Sequence, residues 1–267
     1  MTTTMDAATR VADAPRAPAV ARLTALHAKY TLVELSRTPI AIIGAIAFPS
    51  LALLFFVVPN STVASNPAFA TQAVISLSVF AVMANGLFSF GLTIAENRQK
   101  PWDPYLRTLP APGIVRVLAQ IFSTGLMGFV AILPVIVIGA LFTAAEASAG
   151  GILLGLVALA VSALPFMLIG ICIGYALPMA GAIAVVQVVM FGLAFAGGLF
   201  LPPLMFADWL NALSMWFPSR QARELVIWAV QGGELPWWVW TGILVWTVVL
   251  LVAALTLFRR DEGRRYR

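Results

Sequence analysis

The stretch Glu96–Pro110 reads ENRQKPWDPYLRTLP. It carries both signs of charge and is broken by Pro101, Pro104 and Pro110, while long apolar runs flank it, Ala70–Ala95 before and Val117–Phe142 after. A short polar segment between two such runs predicts a loop joining two membrane spans. Composition agrees. Of 267 residues, 61% are hydrophobic and only 10% charged, with a mean hydropathy of +0.96. Soluble domains carry about 25% charged residues, so this composition predicts an all-α integral membrane protein.

Working outward, six apolar runs emerge: Ile40–Val58, Ala70–Ala95, Val117–Phe142, Ile152–Leu177, Ala182–Phe206 and Trp237–Phe258. Each reaches about the 20 residues that cross a bilayer as a helix. They lack strand alternation, and only helices or closed barrels satisfy the backbone in lipid. Pro134 and Pro165 predict kinks in the third and fourth spans. Residues 1–20 are rich in Ala, Thr and Pro and read as a disordered tail. Residues 21–38 carry an apolar stripe of Leu23, Leu26, Tyr30 and Val33, which predicts an amphipathic helix in the cytoplasmic interface. Residues 39–258 form the six-span domain, and 259–267 a basic cytoplasmic tail. The small-residue pattern Pro67-Ala68-Phe69-Ala70 follows an apolar run too long for a signal-peptide core.

Orientation follows from where Lys and Arg fall. Arg10, Arg16, Arg22, Lys29 and Arg37 precede the first span; Arg98, Lys100, Arg107 and Arg116 lie between the second and third; Arg259, Arg260, Arg264, Arg265 and Arg267 follow the last. Of the sixteen cations, only Arg220 and Arg223 fall on the other side. Both termini and the 96–113 loop are therefore expected in the cytoplasm of a bacterial plasma membrane. The preference for Arg over Lys fits a bacterial genome of high GC content. The outer loop, 201–236, holds two amphipathic stretches, about Ala207–Trp216 and Ser219–Val230, around Phe217-Pro218. They read as two short helices on or dipping into the outer leaflet, the second capped by Ser219 with Arg223 and Glu224 on its wet face. The tryptophans crowded there suit a membrane interface.

No Asp, Glu, Lys, Arg or His lies inside the six runs. Ion-coupled carriers need such a group at mid-membrane, and intramembrane hydrolases need acid–base or nucleophile partners. No G-x-x-x-x-G-K-[ST] motif is present either. His27 is the sole histidine and Cys172 the sole cysteine, so neither a metal site nor a disulfide is indicated. Polar residues within the spans serve either a substrate path or interhelical hydrogen bonds. Asn85 and Gln187, the costliest to bury, are the path candidates. Small residues at Gly192 and Ala196, and at Ala194 and Gly198, are four apart and permit close helix approach within the chain or between subunits.

The order of parts resembles the permease subunits of type-2 ABC exporters, the drug- and antibiotic-resistance branch, over nearly the whole chain after about residue 20. The loop carries the most specific likeness: an acidic-basic start, here Glu96-Asn97-Arg98, then Trp102-Asp103-Pro104-Tyr105-Leu106-Arg107-Thr108-Leu109-Pro110. The long outer loop around Pro218 is similar too. Lys100-Pro101 departs from the Gly and small or hydroxyl residue usual in these permeases, which shifts where the loop's short helix begins. The resemblance implies two permease subunits, identical or paralogous, joined through the first and fifth spans, with Gly192 and Ala196 at the contact. It also implies separate ATPase subunits that bind ATP and Mg, none being held by this chain. Trp102, Tyr105, Leu106 and Leu109 would form the apolar knob that the ATPase grips, with Arg98, Lys100, Asp103 and Arg107 setting register and Glu96, at the loop's start, a further coupling residue. The expected activity is export of a drug-like, antibiotic or lipid-like amphiphile. The chain itself is expected to be no enzyme and to bind membrane lipid rather than nucleic acid. A membrane scaffold or sensor subunit and an ion-coupled carrier are the alternatives.

Overall fold

The computed structural model describes residues 20–36, 47–100 and 113–264. The start of the first expected span and the Pro101–Pro112 part of the loop lie outside them. All regular structure among the described residues is helical: α1 (Val20–Ser36), α2 (Ala47–Val57), α3 (Ser61–Ala64), α4 (Pro67–Asn97), α5 (Gly113–Phe142), α6 (Ala149–Ala176), α7 (Met179–Ala196), α8 (Asp208–Ser214), α9 (Pro218–Gln231) and α10 (Trp237–Arg264). Five of them, α4, α5, α6, α7 and α10, are long and apolar enough to cross a membrane; α2 is apolar but shorter.

Helix α4 is the axis of the bundle. Its start is set locally: the Asn66 side chain accepts from the backbone N–H groups of Ala68 and Phe69, and Pro67 occupies the first turn, where its missing N–H is harmless. Phe80, Met83, Leu87 and Phe90 are fully buried, because α5, α6, α7 and α9 surround α4. Its tightest partner is α6. A Cβ at Gly170 would lie 2.9 Å from the Gly86 carbonyl oxygen, and one at Gly174 would lie 2.9 Å from that of Gly91. The two backbones nearly touch, as small residues four apart permit. Helix α6 starts on a second cap, Ser148 Oγ accepting from Gly151 N. Helices α5 and α6 run on through Pro134 and Pro165.

The bundle thus has two ends, one marked by Asn66 and the other by Arg98. The fifth apolar run corrects the reading of 182–206 as one span. Helix α7 stops at Ala196. Gly198 adopts φ +74°, and its N–H bonds to Phe195 O while Leu199 N–H bonds to Ala194 O. This left-handed glycine cap ends the helix although the next residues are still apolar. The chain turns at the level of Phe80, whose ring centroid lies 4.8 Å from that of Phe200.

The outer loop's two helices form as expected, and α9 is packed into the bundle rather than laid on its surface. Helices α4, α6 and α10 hold it. Its first turn sits beside Leu193 of α7 and its last beside Ala68 of α4, so it climbs about 20 Å along the bundle. Ser219 does not cap it. Phe217 holds that position with no side-chain bond, and the Ser219 hydroxyl instead donates to Leu193 O at 2.7 Å. That carbonyl also accepts from Gly197 N–H at 2.9 Å, so the hydroxyl adds a second bond at the end of α7.

Candidate functional site

The loop reaches the Arg98 end directly from the axis. Helix α4 closes with Arg98 N–H on Ile94 O, and tight bonds from Gln99 N to Glu96 O and Lys100 N to Asn97 O follow. Glu96, on the exposed side of this turn, pairs with Lys100 Nζ at 3.1 Å, one helical turn away. Arg98 points the other way. Its Nε and Nη2 reach Asp261 Oδ1 of α10 at 3.0 and 2.8 Å, and its Nη1 donates to Gly174 O of α6 at 3.0 Å. Trp102, Asp103, Tyr105, Leu106, Arg107 and Leu109 lie outside the described residues. Within the described residues, then, Glu96 and Arg98 face opposite ways rather than forming one contact surface.

At mid-bundle, Asn85 is engaged. Its Nδ2 donates to Thr124 O of α5 at 2.7 Å, and its Oδ1 accepts from Ser89 Oγ at 3.3 Å. This joins α4 to α5, the interhelical use that competes with a path role. Gln187 is exposed on α7. Gly192 is exposed on the same helix, with open space where a Cβ would go, and Ala196 is half-buried. Ala194 and Gly198, the other small pair, are buried inside the chain. Gly192 and Ala196 are thus the pair left on the outer face of α7.

Toward the Asn66 end, the structure assembles a polar ladder that the sequence pattern pointed away from. Arg223, expected on a wet face, is 5% exposed. Its Nε donates to Ser76 Oγ at 2.9 Å, its Nη2 to Gln72 Oε1 at 3.2 Å and its Nη1 to Glu224 Oε1 at 2.7 Å. Glu224 also holds Arg220 Nε at 3.2 Å. Gln72 continues to Gln231, which donates to Ala68 O at 3.1 Å. A buried guanidinium survives only when its donors are met, and Gln72 and Ser76 meet them from a helix about 150 residues earlier. An Arg on a re-entrant stretch opposite two otherwise unexplained polar residues in a span was the available signal. Asp261 and the Gly170/Gly174 pair were missed as well. The glycines carried a readable four-residue spacing, whereas Asp261 sat in a run of tail charges.

Among the described residues no group of three or more His, Cys, Asp or Glu could hold a metal ion. Charged side chains of the five long helices fall near their ends. The arrangement has buried cross-links at two ends of an apolar bundle and a polar turn continuous with its axis. A protein of Bacillus subtilis (strain 168) described as "Putative transport permease YvfS" is 23% identical over 201 residues, 75% of this chain and 79% of that protein. Residues 23–230, from α1 to the last turn of α9, match the family model for the ABC-2 type transporter. With all the described spans but α10 inside that match, the chain belongs to the ABC-2 type transporter family.

Proposed function

We propose that this chain is the membrane subunit of an ATP-driven exporter, with a separate ATPase docking on the 96–110 loop. The observation that carries this reading is the continuity of that loop with α4, the most buried of the five long helices. A push on the loop acts on the one helix that α5, α6, α7 and α9 all hold. In this reading the chain crosses the membrane six times, its first span containing α2, and both termini and the Arg98 end face the cytoplasm. ATP and Mg are bound by the partner. Two copies, or this chain and a paralogue, meet along α2 and the Gly192/Ala196 face of α7. The cargo is an amphiphile, a drug, an antibiotic or a lipid-like molecule, because the bundle offers apolar surface and few polar groups. Asn85 and Gln187 flank its path.

The test is co-purification with an ATP-hydrolysing subunit, followed by transport in proteoliposomes. Export should require ATP and persist when ion gradients are dissipated. Transport that follows an ion gradient and ignores ATP would overturn the reading, and a chain that never associates with an ATPase would mark a scaffold instead. Replacing both Trp102 and Leu106 by Ala should lower transport by at least about tenfold, the loss expected when two hot-spot anchors are truncated, while membrane insertion is retained. Unchanged transport in that variant would remove the loop from the mechanism.

A further inference from the structure

We infer that Arg98 and Asp261 form a strut that makes the last span part of the moving unit, so that a push on the loop reaches α9 and the turn before it through α10. The inference rests on the reading of this chain as an ATPase-driven permease.

Arg98 is the residue at which the axis becomes the loop. Its guanidinium spans three helices: it is rooted in α4, it donates to the α6 carbonyls of Gly174 at 3.0 Å and Leu177 at 3.5 Å, and it holds Asp261 of α10 with two nitrogens on one oxygen. The guanidinium is planar and its donors are fixed in a fork, so these bonds lock direction as well as distance. The carbonyls at α6's end lack helical partners and bear the negative end of the helix dipole, which suits a cation. Asp261 is 6% exposed and Arg98 25%, so the carboxylate side of the pair is the one shielded from water and salt.

Helix α10 leans mainly on α6 and α9, so this ion pair is how the end of α4 reaches it. The joint is reinforced one turn earlier, where Tyr175 of α6 and Phe258 of α10 meet edge to face at 5.6 Å. Toward its start α10 holds α9 and the turn before it. Trp246 Nε1 donates to Trp216 O at 2.8 Å. Gln221 of α9 lies over Gly242, in the space that a Cβ there would fill. The chain of contact therefore runs from the loop through Arg98, Asp261 and α10 to α9 and the turn before it, beside the route through α4 itself.

The experiment uses the permease–ATPase complex in proteoliposomes and reads transport per ATP hydrolysed. Asp261→Asn should lower that ratio about tenfold, a typical coupling between sites, with basal ATP hydrolysis and ATPase co-purification changed by no more than about twofold. Arg98→Ala should lower the ratio as well, and the double variant should be no worse in that ratio than the worse single one. Asp261→Glu should recover at least about half of the lost ratio, since it keeps the charge. Should Asp261→Asn fail to insert, Arg98→Lys is read instead: it keeps the charge but not the fork, and the ratio should fall at least about threefold. Additive losses in the double variant, or an unchanged ratio in Asp261→Asn or Arg98→Lys, would overturn the strut. Failure of the unaltered chain to bind any ATPase would instead overturn the reading on which it rests.

Discussion

Remove the Arg223 guanidinium, and Ser76 Oγ and Gln72 Oε1 lose a buried donor, while Glu224 keeps Arg220. Arg223→Ala should cost about 1–3 kcal/mol, the usual loss when buried polar groups are left without a partner. The readout is thermal unfolding in detergent. Arg223→Lys keeps the charge but not the fork, and should recover part of the loss, because Ser76, Gln72 and Glu224 lie in three directions. Gly170 is the opposite kind of site, where an addition does the harm. A side chain there meets Gly86 O at 2.9 Å and Leu87 O at 3.0 Å. Both are backbone atoms of a packed helix and cannot swing aside. Gly170→Leu should therefore destabilise the bundle by about 3 kcal/mol or more, at or above the ordinary range for overpacking, again seen as an earlier unfolding transition. Gly125 of α5, with open space where its Cβ would go, is the control that should tolerate Ala.

Among the elements, the end of α7 depends on one backbone angle. Gly198 sits at φ +74° with Pro203 Cγ 2.6 Å from where its Cβ would be. Gly198→Ala should cost at least about 1–2 kcal/mol from the left-handed conformation alone, checked by the same unfolding assay. This end also shows what could be read in advance. The long helices were legible because each is a run of apolar residues, and the caps Asn66 and Ser148 stand at the starts of α4 and α6. The stop at Ala196 was not, because Leu199, Phe200, Leu201 and Phe206 are as apolar as the helix before them. Only Gly197-Gly198 and Pro202-Pro203 marked the turn. The depth of α9 was hidden for a related reason. Its Arg223–Glu224 face follows the period of a solvent-facing helix, and only Gln72 and Ser76, far off in sequence, reveal that the polar side looks into the bundle. Of the loop residues assigned to contact, Arg98 was legible as a charge but not as an inward one, since its acceptor is 163 residues away.

Across the whole molecule, α7 and α10 keep broad apolar faces uncovered. Val188, Phe191 and Phe195 are exposed on one, Leu244, Val245, Val248 and Val252 on the other. A bilayer covers such faces at no cost, so exposure alone does not mark a subunit contact. The α7 face differs by carrying Gly192 and Gln187 within it. If two subunits meet there, Gly192→Leu should hold their backbones apart and shift the complex from dimer to monomer, measured by light scattering or single-molecule photobleaching in nanodiscs. The matching change on α10, Val249→Leu, should leave the oligomeric state as it was. A dimer unaffected by Gly192→Leu would move the contact elsewhere.

The meeting of α7 and α9 has one more consequence. At that joint the carbonyl end of one helix faces the N–H end of another, so the partial negative charge of the first lies against the partial positive charge of the second. Each quenches the other, and the Ser219 hydroxyl on Leu193 O completes the junction. The bundle can therefore interrupt its main-chain ladder deep inside without leaving a naked dipole in oil. What results is a splice: one helix ends where the other begins, with Ser219 of the second against Leu193 of the first.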